Sequence, residues 1–213
     1  MTSGAMRDGA GAARAVRPQA VVIGGSAGAT EVLAELLAGL PADFTLPVIV
    51  VLHMPRHQPS MLAEVLGPKC ACPVREPEDK EPVTPGTVYL ASPDYHLLVD
   101  AGPVFALSTD APVNFSLPSI DALFESAAHE YRAALVGIVL TGANDDGARG
   151  LRAICDVGGT AVVQSPAEAM ARAMPEAAIA ACPNARVLTT ANIRAYLLSI
   201  GTPPPGRADR ESK

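Results

Sequence analysis

Ala20-Val21-Val22-Ile23-Gly24-Gly25-Ser26-Ala27-Gly28 reads as a buried strand running into a sharp, glycine-rich turn. The apolar run shows no polar alternation, as expected of a strand covered on both faces of a parallel sheet. Beyond the turn, Val32, Leu33, Leu36, Leu37 and Leu40 recur at helical spacing, and Gly39 and Pro41 stop the helix. A second apolar run, Val48-Ile49-Val50-Val51-Leu52, leads directly into His53. Ser26 and His53 therefore both follow strand ends.

The same rhythm governs most of the chain. Ser60 to Leu66 resembles a short helix; from Ser119 a helix is expected to about Arg132, then a strand Val136 to Leu140 and a helix from about Gly147 to Val157. A strand Thr160 to Val163, a helix around Glu176 to Ala181, a strand Arg186 to Leu188 and a helix from Asn192 follow. Between these halves, Gly86 to Ala91, His96 to Asp100 and Pro103 to Leu107 are short strand-like runs broken by Pro and Gly, which predict a small antiparallel excursion. The expected fold is α/β: a doubly wound, mostly parallel sheet with flanking helices and that excursion in the middle. Residues 1–18 and 201–213 read as disordered tails around one domain at 19–200.

Composition bounds the function. The 213 residues are 49% hydrophobic and 18% charged, enough apolar surface for a sizeable core. A net charge of -6 argues against a sequence-independent grip on nucleic acid, which needs Lys and Arg to neutralise phosphates. No run approaches the ~18 apolar residues of a spanning helix, and no signal-peptide core opens the chain, so a cytoplasmic protein without membrane insertion is expected. Cys70 and Cys72 are too close in sequence for the usual zinc spacing, and with Cys155 and Cys182 they read as reduced thiols.

Gly24-Gly25-Ser26-Ala27-Gly28 fits Gly-x-Ser-x-Gly between a strand and a helix, where the turn lifts the Ser hydroxyl clear of the sheet. The Ala27 N–H would face a developing oxyanion, aided by the helix dipole. Such a turn can also cradle a phosphate or dinucleotide, or be purely structural. A dinucleotide site wants an acid near the end of the second strand, where this chain has His53, and a Walker lysine is absent. In an open parallel sheet neighbouring carboxyl ends share one crevice, so His53 can serve Ser26 as base and then acid. His57, His96 and His129 are weaker candidates, lying in a loop, the excursion and a helix. A carboxylate to orient the imidazole is available in Thr141-Gly142-Ala143-Asn144-Asp145-Asp146-Gly147, where Asn144 or Asp145 is expected to cap the next helix. The chain order Ser, His, Asp differs from that of α/β-hydrolases and of the major serine proteases.

At these positions the sequence resembles the catalytic domain of the CheB family, the chemotaxis receptor protein-glutamate methylesterases. The resemblance rests on the turn from Val22 to Glu31, on His53-Met54-Pro55, on Pro85-Gly86 with Tyr89, on Pro118-Ser119-Ile120-Asp121 with Phe124, and on Thr141 to Gly147. It implies Asp146, the acid directly before Gly, as third member beside Ser26 and His53, with Gly25, Ala27, Thr141, Gly142 and Ala143 around the oxyanion and substrate. It further implies hydrolysis of glutamate 5-methyl esters, with glutamine deamidation at the same positions, on the cytoplasmic helical domain of a methyl-accepting receptor, without metal or organic cofactor.

Three residues depart from the family pattern: Ala143 stands where Met is usual, Asn144 where Gly is usual, and Leu117 where Arg precedes Pro-Ser. They keep open a catalytically weakened receptor-binding module of the same fold. The stretch ahead of the domain is too short for the receiver domain that family members commonly carry, so none is expected in cis.

Overall fold

The computed structural model describes residues 16–54 and 60–202. In chain order they form β1 (Ala20–Gly25), α1 (Ala29–Leu37), β2 (Val48–Leu52), α2 (Leu62–Leu66), β3 (Val74–Arg75), β4 (Val88–Leu90), β5 (His96–Asp100), β6 (Val104–Ser108) and α3 (Ile120–Tyr131). β7 (Leu135–Val139), α4 (Ala148–Asp156), β8 (Thr160–Gln164), α5 (Ala173–Ala181), β9 (Arg186–Leu188) and α6 (Thr190–Gly201) complete them.

A seven-stranded sheet runs in the order β3-β4-β2-β1-β7-β8-β9, and every pairing in it is parallel. The period-two pleat sends successive side chains of β1 to opposite faces. Val21 and Ile23 join a core with residues of α1, α2 and α6, whereas Ala20 and Val22 join one with residues of α3, α4 and α5. Burial on both faces explains why β1, β2 and β7 are apolar throughout. The chain leaves β1 toward β2 on one side and reaches β7 on the other, so their carboxyl ends flank the topological switch point where such sheets bind ligands.

The structure revises several expectations. Val88 to Leu90 belongs to the main sheet, because it is buried throughout and pairs in parallel with β2; the antiparallel excursion is β5 and β6 alone. The two-residue strand β3 had no periodic signal to announce it. α5 starts before Glu176 because Pro175 lies in its first turn, where the missing N–H costs no helical bond. α6 begins at Thr190, with the Thr189 hydroxyl accepting from Asn192 N–H at 3.2 Å. Its last residue is Gly201, assigned above to the tail; the Gly201 carbonyl accepts from Thr45 N–H at 2.8 Å. The remainder of the proposed terminal tails lies mostly outside the described residues.

Cys155 and Cys182 are not reduced thiols: a disulfide joins them, with Cα atoms 6.7 Å apart. They are 27 residues apart in sequence and are brought together by the packing of α4 on α5. Cys70 and Cys72 are free. No described helix is long and apolar enough to cross a membrane.

Candidate active site

The turn after β1 sits between the extensions of its two neighbours. Gly25 pairs with Leu52 in the β1–β2 register, and His53 N–H donates to the Gly25 carbonyl at 3.1 Å. On the other side Ser26 N–H donates to the Thr141 carbonyl at 2.9 Å. The turn therefore places Ser26 between His53 and Thr141 at the carboxyl edge of the sheet. A Cβ on Gly25 would stand 2.5 Å from the Ala29 Cβ, so no larger residue fits without moving the helix. Gly28, with φ of 79°, provides the left-handed bend from which α1 starts.

His53 Nε2 is 2.8 Å from Asp146 Oδ2. Asp146 is fully buried, at 0% exposure, whereas Asp145 is exposed, so the structure brings Asp146 and not Asp145 to His53. The Asp146 carboxylate also accepts from Ile120 N–H at 2.8 Å, Ser119 Oγ–H at 2.9 Å and Asp121 N–H at 3.0 Å. It thus sits on the N-terminus of α3, where first-turn amides and the helix dipole favour an anion. Burial pushes its pKa up, but the bonds from His53, Ile120, Asp121 and Ser119 outweigh that and hold it below the ordinary carboxylate range. An ionised carboxylate only accepts, so the proton of this contact is assigned to His53 Nε2. Nδ1 is then the basic nitrogen. The described hydrogen bonds of the His53 ring reach Asp146 and do not include one from Ser26 Oγ.

Thr141, Gly142 and Gly25 are buried behind the turn, while Ala27 and Ala143 are exposed at its rim. The Thr141 hydroxyl accepts from Ala171 N–H at 2.9 Å and lies 2.9 Å from the Ala27 carbonyl, to which it can donate. Thr141 N–H donates to Gln164 Oε1 at 2.8 Å. Gly142 leaves no room for a side chain, since a Cβ would meet the Met174 Sδ at 2.5 Å. Thr141 and Gly142 thus support the turn from below.

Sequence reading missed several supports. Ser119 caps α3, accepting from Ala122 N–H at 3.4 Å, while its own hydroxyl serves Asp146. His96, set aside as part of the excursion, is buried; Nδ1 accepts from Ser119 N–H at 3.1 Å and Nε2 donates to the Ala111 carbonyl at 3.2 Å. Ser119 could be found by its cap position before an apolar helix. His96 carried no such signal. The expected cap of α4 by Asn144 or Asp145 is also corrected, because the amides of Gly147 and Gly150 donate to Asp121 Oδ1 at 2.9 and 2.7 Å. Among the departures, Ala143 is exposed, Leu117 is buried, and Asn144 Oδ1 accepts from Asp146 N–H at 3.4 Å. His57 and Pro55 lie outside the described residues, and His129 sits in the last turn of α3.

Comparison with known proteins agrees with this fold. The family described as CheB methylesterase matches residues 21–197. A Leptospira interrogans relative is 43% identical over 163 residues, covering 76% of this chain and 84% of its own. The protein-glutamate methylesterase/protein-glutamine glutaminase 2 of Caulobacter vibrioides is 38% identical over 185 residues, 85% of this chain and 53% of that protein; the chain spans about half of it. The crystal structure of the Thermotoga maritima CheB methylesterase catalytic domain superposes with a TM-score of 0.82 at 32% identity, over 86% of this chain and 99% of that one.

Proposed function

The chain belongs to the CheB methylesterase family, a family of hydrolases, and from that premise we propose that Ser26, His53 and Asp146 form the catalytic triad of a protein-glutamate methylesterase. The observation that carries this reading is the 2.8 Å contact of His53 with buried Asp146, beside the turn that carries Ser26.

In this reading His53 Nδ1 takes the proton from Ser26 Oγ as the hydroxyl oxygen attacks the carbonyl carbon of a glutamate 5-methyl ester. The negative oxygen of the tetrahedral intermediate is met by the Ala27 N–H and the positive end of α1. Collapse of the intermediate breaks the carbon–methoxide bond, and His53 returns its proton to the leaving oxygen, releasing methanol. The remaining glutamyl ester on Ser26 is attacked by water, which gives a proton to His53. The carbon–Ser26 bond then breaks, His53 reprotonates Ser26 Oγ, and the glutamic acid side chain formed loses its remaining proton to solvent and leaves as the carboxylate. A glutamine side chain follows the same course with ammonia as the leaving group. Asp146 holds the imidazole in the Nε2–H tautomer and stabilises its charged form.

The substrate we assign is a methyl-accepting receptor of a chemotaxis-like pathway, through its cytoplasmic helical domain. The test is methanol release from a methylated receptor of that kind. Wild-type protein is expected to release methanol and Ser26→Ala is expected to release none above background; equal release by both would refute the triad.

A further inference from the structure

Asp146 and Asp121 are related by an exchange of helix caps. Asp146, in the loop leading into α4, accepts from the first amides of α3, Ile120 and Asp121. Asp121, in the first turn of α3, accepts from Gly147 and Gly150 at the start of α4. Each carboxylate caps the helix that carries, or immediately follows, the other. Two helix N-termini thereby meet at two buried acids, at 0% and 1% exposure. The exchange needs close approach. A Cβ on Gly150 would come within 3.1 Å of the Asp121 Cα, and one on Gly147 within 2.7 Å of Ile120.

A structural cap alone does not require a second ionisable acid here. Any side-chain oxygen can accept from two amides, and like charges in a buried site oppose one another. Burial and the Asp146 charge both push the Asp121 pKa up, while the Gly150 and Gly147 amides and Arg149 pull it down. The groups facing it are Asp146, Arg149 at 3.7 Å from Oδ2, and Asn114 Nδ2 at 3.3 Å; Glu125 faces Arg149. Arg149 is exposed and provides the compensating cation.

We propose that Asp121 is a positioning residue for His53: its reciprocal cap with Asp146 fixes the height and direction of the Asp146 carboxylate against the imidazole. Asp121 does not touch the reacting atoms. It sets the junction of α3 and α4, that junction sets where Asp146 Oδ2 points, and Oδ2 holds His53 Nε2. The proposal rests on the triad reading for its effect on rate, but its effect on the His53–Asp146 bond can be read without any substrate.

The experiment compares Asp121→Ala with wild type by proton NMR and by steady-state methanol release. The His53 Nε2 proton, bonded to a buried carboxylate, gives a downfield resonance, assigned by its loss in His53→Gln. In Asp121→Ala, which removes the acceptor of the Gly147 and Gly150 amides, that resonance is expected to move or broaden, and kcat to fall by about 10²-fold with KM little changed, as for a small misplacement of a catalytic group. In an Asp146→Asn background the same substitution is expected to add almost nothing, because the bond it positions is already lost. Arg149→Gln, at an exposed position, is the second variant and is expected to shift the same resonance if Asp121→Ala does not fold. An unmoved resonance, or a full additional rate loss in the Asp146→Asn background, would overturn the proposal. Loss of activity in Ser26→Ala is unaffected by either outcome, so a failure here is distinct from a failure of the triad.

Discussion

His53 Nε2 and Asp146 Oδ2 stand 2.8 Å apart although 93 residues separate them in the chain. The contact exists because β2 and β7 both flank β1, so the segments leaving their carboxyl ends converge on the turn that carries Ser26. Removing either partner should therefore act on the rate far more than on the fold. His53→Gln is expected to lower kcat by about 10²–10⁴-fold, the usual contribution of a positioned base. Asp146→Asn should lower it comparably by releasing the imidazole tautomer. Steady-state methanol release, with circular dichroism as a folding control, checks both.

Acid stability should report the same carboxylate. Folded Asp146 holds its proton less tightly than the unfolded chain does, so its ionised form adds stability above the ordinary carboxylate range. That contribution is lost as pH falls through this range toward the lower folded value. Asp121 runs oppositely: its raised pKa favours the folded state at low pH, and that advantage fades as pH rises through its folded value. Melting temperatures of wild type and Asp146→Asn should hence converge as pH falls from about 5 to about 2. A gap that stays constant across that range would contradict the assigned ionisation.

Thr141 is predicted to matter without meeting substrate. Thr141→Val keeps the shape but removes the hydroxyl between Ala27 and Ala171, leaving the half-buried Ala171 N–H without its partner. Such an unpaired group costs about 1–3 kcal/mol. Denaturant unfolding should show that loss, and kcat should fall because the turn under Ser26 loosens.

Reduction of the Cys155–Cys182 disulfide should lower stability by about 2–4 kcal/mol while sparing activity. The bond ties the end of α4 to the residue after α5, away from the strand ends that carry Ser26 and His53. Unfolding and methanol release with and without reductant test this; a large drop in activity of the reduced, folded protein would contradict it.

How much of this was legible in the sequence depends on whether a feature is local. β1, β2 and β7 stood out because continuous apolar or β-branched runs announce strands inside a parallel sheet. Ser26 and His53 followed because each sits directly after such a run. Val88 to Leu90 was assigned to the wrong sheet because Pro85 and Gly86 set it off from β2, and pairing across a crossover leaves no local mark. Asp146 was singled out by family resemblance; composition and spacing alone left Asp145 and Asp146 equivalent. Its selection is physical only in three dimensions, where the first turn of α3 receives one acid and leaves the other in water. The roles of His96, Asp121 and Gln164 depend on the meeting of segments distant in sequence, which neither periodicity nor spacing encodes.

The most direct test of the central claim is mass spectrometry of the protein after treatment with a serine-reactive phosphonate. A single adduct on the peptide carrying Ser26, formed at least about 10²-fold more slowly in His53→Gln, is the predicted result. Methanol release by a protein whose Ser26 stays unlabelled, or labelling that is indifferent to His53, would contradict the account.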